Sequence, residues 1–288
     1  MTIPKEKLDT WSKQGPIKSS KETYKLIRNL ITDRYDEDRT IDIFLQGSYK
    51  NSTNIYGRSD VDIVIKLSSI FRRDISSLSK KEKKQYYKKY NKATYRLEKF
   101  RKNLIDILKE KYENSVEKGN KAIKIKSRLP MGADIVICQE YRKYKSYIPG
   151  SEKYIEGIYF EAKDGTGIKN YPKQHWENGV EKNKEADKNF RETVRIFKNA
   201  KDYHDEDLGD LAPSYFIEGL LYNVPSRLFR QERQIRVKEI LDWLDGQDFS
   251  RFTCQNEIHD LFGSEEIKWN TKDPRIFLDK IGSLWEKW

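Results

Sequence analysis

In the first half of the chain the apolar residues fall in short runs. Several of them alternate with polar neighbours, the two-residue period of a strand with one buried face. The segments are Ile41 to Leu45, Val61 to Leu67, Ala122 to Ser127, Ala133 to Cys138 and Tyr154 to Phe160. Near residue 170 the spacing changes to a helical one, as in Phe190, Val194 and Phe197, then Phe216, Leu220 and Leu221, then Ile235, Ile240 and Leu244. That is the period of amphipathic helices. The pattern predicts an α/β (α+β) lobe with a mixed sheet over residues 1–168, carrying an N-terminal helix, and a helical lobe over residues 169–288.

Two helices are predicted within the first lobe. Ser19-Ser20-Lys21-Glu22 has the form of a capping box ahead of Tyr24, Ile27, Leu30 and Ile31, and Ser79-Lys80-Lys81-Glu82 has the same form. Behind the second box, Tyr86, Tyr90, Ala93, Leu97, Phe100, Leu104 and Leu108 make one stripe, which predicts a single long helix.

Charge sharpens this picture. The chain carries 57 Lys and Arg against 46 Asp and Glu, a net charge of +11. Nine Lys and two Arg against Glu82 and Glu98 put +9 of it between Lys80 and Lys102. A basic face of that density suits a polyanion. The six Trp and 12% aromatic residues supply cores despite the polar composition. The longest apolar run, Ile135 to Cys138, is far short of the ~18 residues a membrane span requires. The first thirty residues hold no apolar stretch of signal-peptide type, so a cytoplasmic protein with no membrane partner is expected. Two cysteines and three histidines, none at metal-binding spacing, leave carboxylates as the expected reactive groups.

The chemistry gathers in residues 46–66. Gln46-Gly47-Ser48-Tyr49 precedes Asp60-Val61-Asp62-Ile63-Val64-Ile65. Strand alternation puts Asp60 and Asp62 on one face and turns Val61, Ile63 and Ile65 to the core. Asp134, inside Gly132-Ala133-Asp134-Ile135-Val136-Ile137, is a third polar position in an apolar strand. If the two strands are neighbours, three carboxylates converge and repel one another unless cations bind. Two Mg²⁺ (or Mn²⁺) ions held there would activate a hydroxyl and stabilise a leaving pyrophosphate. Gly47 and Ser48 would admit a triphosphate close to the backbone.

These residues resemble the polymerase β nucleotidyltransferase superfamily, and more closely the bacterial cGAS/DncV-like nucleotidyltransferases of antiphage (CBASS) signalling. Asn170-Tyr171-Pro172-Lys173-Gln174-His175, Asn178-Gly179, Pro213-Ser214-Tyr215-Phe216-Ile217-Glu218 and Asn223-Val224-Pro225 follow that family's order. The resemblance implies a polymerase β-like lobe and a helical lobe closing a nucleotide cleft. It implies metal-binding catalytic roles for Asp60, Asp62 and Asp134, and nucleotide contacts at Gln46, Gly47 and Ser48. Lys198 would serve as a triphosphate lysine, Ser214 as a second phosphate contact and Tyr215 as a base-stacking ring. The implied activity joins nucleoside triphosphates, ATP among them, into a cyclic oligonucleotide, expected to be a dinucleotide, that signals to a downstream effector. By the same resemblance, Lys84, Lys88, Lys92, Arg96 and Lys99 would form a surface for an activating structured RNA or DNA. The aspartates alone also fit an RNA-tailing polymerase or an antibiotic-modifying transferase, and the basic face fits a nucleic-acid-binding module without catalysis.

Overall fold

Seven strands are present in the computed structural model, which describes residues 3–57, 60–91, 93–204, 211–263, 269–270 and 272–287. They are β1 Ile41–Leu45, β2 Val61–Asp74, β3 Val116–Lys118, β4 Ile123–Ile125, β5 Ala133–Ser146, β6 Lys153–Glu161 and β7 Gly167–Asn170. The helices are α1 Lys5–Trp11, α2 Lys18–Arg34, α3 Gly47–Asn51, α4 Lys80–Lys89, α5 Leu97–Tyr112, α6 Pro172–Glu185, α7 Asn189–His204, α8 Ser214–Tyr222, α9 Arg233–Asp245 and α10 Asp273–Lys287.

Residues 18–46 and 60–173 form a sheet unit. Its strands run β1-β2-β5-β4-β3, with β6 on β5 and β7 on β6; β2 and β5 are parallel and the other pairs antiparallel. Along the edge of β5 away from β2, residues 133–135 pair with β4 and residues 139–146 with β6. Val61, Ile63 and Ile65 are fully buried, as the alternation predicts. Val64 is buried as well, in a cluster with Val136, Cys138, Ile158 and Phe160 from the neighbouring strands. Helix α2 starts at Lys18, so Ser19 and Ser20 stand in its first turn rather than ahead of it. The capping box at Ser79 forms as predicted: its hydroxyl accepts from Glu82 N, and the Glu82 carboxylate accepts from Ser79 N at 2.8 Å.

The single long basic helix does not form. Helix α4 ends at Lys89 and α5 begins at Leu97, with Tyr90 and Arg96 both extended. Tyr90 packs on Tyr86, Tyr147 and Phe71, whereas Tyr95 is buried and takes the Arg39 guanidinium over its ring at 4.9 Å. Two aromatic anchors in two different places pull the chain out of one helix.

Residues 1–17, 47–59 and 174–288 form a helical unit. This corrects the expected boundaries, since two segments of the predicted first lobe belong with the second. The cause is packing and hydrogen bonding. Ile3, Leu8 and Trp11 join Phe190, Val194, Phe197, Ile217, Leu220, Ile240, Ile281 and Trp285 in one core. Asn199 Nδ2 donates to Trp11 O at 3.0 Å, and Arg195 donates to Ser12 O at 2.6 Å and Ser52 O at 2.5 Å. Ile235 is exposed instead of buried; α9 turns Val237, Ile240 and Leu244 inward, with Arg236 held by Glu192 and Thr193. Both cysteines are buried and neither is in a disulfide.

Candidate active site

In the sheet unit the parallel register sets Asp62 on β2 directly beside Asp134 on β5, and the antiparallel register sets Lys124 on β4 beside Asp134. Asp62, Asp134 and Lys124 therefore form a row across three adjacent strands, on one face of the sheet. Asp60 lies one residue ahead of β2. Its Oδ1 occupies the space where a side chain at residue 132 would be: an added Cβ on Gly132 would lie 2.2 Å from it. Val61 N donates to Gly132 O at 2.8 Å, holding the entries to β2 and β5 together. Helix α2 fixes the loop before β5 from another side. The Thr23 hydroxyl donates to Met131 O at 3.1 Å and accepts from Met131 N at 3.0 Å.

Burial raises the Asp134 pKa above the ordinary carboxylate value, and Asp60 adds to the rise against the pull of Lys124, whose Nζ is 3.8 Å away. Asp134 Oδ1 is buried with no hydrogen-bond partner. Such an atom is costly unless something binds it. An all-carboxylate donor set suits a hard divalent cation. Among the described residues, however, no three His, Cys, Asp or Glu side chains stand close enough to hold an ion as they lie. The chemistry of these donors fits a cation, but as placed the three carboxylates do not make a closed ligand set. Gly132→Ala would push Asp60 aside without touching the core. If Asp60 holds a cation, pyrophosphate release should then fall roughly 10- to 100-fold, the usual cost of losing a group that orients a metal ligand, and a Mg²⁺ titration should move to higher concentration. Unchanged Mg²⁺ dependence would remove Asp60 from the ligand set.

Gln46 belongs to the same unit. Its backbone N donates to Asp62 O at 3.0 Å and its Oε1 is buried without a partner. Asn170 ends β7 with its side chain accepting from Tyr171 N at 2.8 Å, which is the turn that leads into Pro172.

The remaining expected contacts lie in the helical unit. Gly47 opens α3 with φ +62°, a conformation that favours glycine. Ser214 is the exposed first residue of α8, and Tyr215 beside it stacks one ring face on His175 at 5.3 Å and 22° while remaining 36% exposed. Lys198 departs from expectation. It is 2% exposed, and its ammonium is engaged internally, 2.6 Å from Glu218 Oε1 and 3.3 Å from both Thr53 O and Thr53 Oγ1. A mobile surface cation would not be bound in this way.

Of the basic residues, Lys84 and Lys88 are exposed on α4, Arg96 is exposed ahead of α5, and Lys99 on α5 pairs with Glu37 at 3.1 Å. Lys92 lies outside the described residues. The four described side chains belong to two helices and to the residue ahead of the second, not to one continuous helix.

Sequence reasoning missed Lys124 and Glu218. Each had a signal: Lys124 separates Ile123 from Ile125, and Glu218 is the one charge within Phe216-Ile217-Glu218-Gly219-Leu220-Leu221.

A mixed sheet with paired aspartates on adjacent strands and a separate helical unit is the arrangement of a nucleotidyltransferase. Residues 177–286 match the profile of the cGAS/DncV-like nucleotidyltransferase C-terminal helical domain. The chain is 41% identical over 301 residues to the cyclic nucleotide synthase CdnE01 of Staphylococcus haemolyticus, with all of both chains covered. It is 38% identical over 293 residues to a cyclic UMP-AMP synthase of Rhodothermus marinus, covering 100% of this chain and 99% of that one. The solved structure of the Rhodothermus marinus CdnE c-UMP-AMP synthase with Apcpp and Upnpp superposes with a TM-score of 0.89 at 36% identity, over 99% of this chain and 97% of that one. The protein belongs to the cGAS/DncV-like nucleotidyltransferase family.

Proposed function

We propose that the protein joins nucleoside triphosphates into a cyclic oligonucleotide, a dinucleotide in the simplest case, that serves as a second messenger for an antiphage effector. The observation that carries this reading is the in-register pair Asp62 and Asp134 with Asp60 against Gly132. Kinship to synthases of cyclic nucleotides supports it. In the proposed reaction a ribose hydroxyl of one nucleotide attacks the α-phosphate of another, pyrophosphate leaves, and a second such attack closes the ring.

Asp60, Asp62 and Asp134 are the residues that would hold a pair of divalent cations, Mg²⁺ or Mn²⁺, whose chemistry when bound is to acidify the attacking hydroxyl and offset charge on the leaving oxygen. Asp134 is also the carboxylate assigned to receive the hydroxyl proton. Gly47 leaves the backbone open to phosphate oxygens, and the hydroxyls of Ser48 and Ser214 are donors for them. Tyr215, covered on one face by His175, offers its other face to a base, and stacking of that kind accepts any base. Lys198 supports this site from inside the helical unit by holding Thr53 and Glu218.

Nucleic-acid activation is a second reading, favoured by the exposed Lys84 and Lys88 on α4. No helix among the described residues is long and apolar enough to cross a membrane.

One assay tests these readings. The protein is incubated with four labelled triphosphates and Mg²⁺ or Mn²⁺, with and without structured RNA or DNA at low salt, and the products are treated with phosphatase. Phosphatase-resistant small products are expected. A ladder of lengths would instead indicate an RNA-tailing enzyme. Product that needs the added nucleic acid establishes activation, and nucleic-acid binding with no product under any condition leaves a binding module.

A further inference from the structure

The helix that carries Gly47 and Ser48 is too short to hold its own shape. Helix α3 spans five residues, opens on a left-handed one, Gly47 at φ +62°, and is followed by another, Ser52 at φ +59°. Isolated helices of that length are unstable, since nucleation costs more than one turn returns. Its conformation has to be imposed by what it is tied to. Arg195 holds Ser52 O, and the side-chain ties of Asn51 and Thr53 converge on one carboxylate. Asn51 Nδ2 donates to Glu218 Oε2 at 3.0 Å, and the Thr53 hydroxyl donates to Glu218 Oε1 at 2.6 Å. Lys198 Nζ donates to the same Oε1 at 2.6 Å and to Thr53 O at 3.3 Å. His175 Nε2 lies 3.2 Å from Oε2, a donor in its Nε2–H tautomer, and the His175 ring supports Tyr215.

The Glu218 side chain is 4% exposed and the Lys198 side chain 2%. A buried ion pair is a poor way to gain stability, because desolvation takes back most of the attraction and well-packed apolar residues do as well. What it supplies is geometry. Two carboxylate oxygens with about four acceptor sites are matched here by four donors from three separate stretches of chain. Three of those donors come from the residue that ends α3, the residue two beyond it, and the histidine beneath Tyr215.

We propose that Glu218 is a positioning residue of the nucleotide site, fixing through Asn51 and Thr53 the turn that carries Gly47 and Ser48, and through His175 the ring of Tyr215. The proposal rests on the reading of Gly47, Ser48 and Tyr215 as nucleotide contacts. Glu218 touches neither phosphate nor base; it sets where their contacts stand.

The full-length chain with Mg²⁺ tests it, by measuring kcat and KM for each of the four triphosphates from pyrophosphate release, with the unfolding midpoint alongside. Thr53→Val keeps the side-chain shape and removes the hydroxyl, and Asn51→Ala removes the other tie; both leave the Lys198–Glu218 pair in place. Each should raise the triphosphate KM about tenfold, the scale of one hydrogen bond to a buried charged group lost, with a smaller change in kcat. Thr53→Ser, which restores the hydroxyl, should return KM to within about twofold of wild type. Glu218→Gln should raise KM at least as far as either single change if it folds; the Thr53 and Asn51 variants stand independently if it does not. Unchanged KM in Thr53→Val and Asn51→Ala would overturn the proposal, as would a Thr53→Ser variant no better than Thr53→Val. A wild-type chain that converts no triphosphate, with or without added structured nucleic acid, would instead remove the nucleotidyltransferase reading itself, and this proposal with it.

Discussion

Replacing Asp60 and Asp62 together by Asn should lower product formation by roughly 10³-fold or more, about 4 kcal/mol of barrier, with no loss of folded protein. The asymmetry between activity and stability follows from where the two side chains lie. Asp60 is exposed and Asp62 only half-buried, so the core against Val61, Ile63 and Ile65 is untouched. Asn keeps the volume of Asp but removes the negative charge that would hold a divalent cation. Asp60 also contributes to the raised pKa of Asp134. Taking away that like charge lets Asp134 ionise more readily and relieves repulsion in the folded state. The unfolding midpoint at neutral pH should therefore stay level or rise slightly while pyrophosphate release is lost. Retained turnover would remove the aspartates from the chemistry, and a large fall in midpoint would mean that they are structural.

Lys198→Ala should be the most destabilising of the single changes considered. It leaves the Glu218 carboxylate buried without its ammonium partner, a loss of about 3–5 kcal/mol and roughly 10 °C in unfolding midpoint. Its pH dependence is diagnostic. In the wild type, burial alone would push the Glu218 pKa up, but Lys198 and His175 more than offset this and hold it far below the ordinary value of 4.5. The unfolded state then takes up a proton before the folded state does. The stability that Glu218 contributes is fully present above pH 4.5 and is lost as pH falls below it. Without Lys198, desolvation dominates and the folded pKa lies above the unfolded one, so the variant should gain stability as pH falls from 7 toward 5. Thermal melts from pH 4 to 8 should show the variant gaining stability between pH 7 and 5, where the Glu218 contribution in the wild type is level and falls only below pH 4.5. Parallel profiles would mean that Lys198 is not the counter-charge of Glu218.

The aspartate row was legible because its information is local. Alternation assigns each residue a face, and two apolar strands interrupted by Asp62 and Asp134 need only be neighbours for the pair to meet. The break between α4 and α5 was not legible, because the apolar spacing from Tyr86 to Leu108 continues through it; the separate docking of Tyr90 and Tyr95 decides the outcome. The Glu218 node was visible only as a charge inside an apolar run. Its partners Asn51 and Thr53 are 167 and 165 residues away in sequence, a pairing that no periodicity encodes. The same holds for α1, tied to α7 by Asn199 and Trp11 across 188 residues.

The interleaving of the two units governs how this chain can be taken apart. The chain passes from one unit to the other four times, after residues 17, 46, 59 and 173. Most domains can be exchanged or expressed separately because their linkers are crossed once. Here a fragment beginning at residue 174 would retain Lys198 and Glu218 but lack the strap that brings them Thr53 and Asn51, as well as the apolar residues of α1. The recognised helical domain at residues 177–286 is thus a unit of descent but not a unit of assembly. Substituting it wholesale between relatives should succeed only when residues 1–17 and 47–59 travel with it.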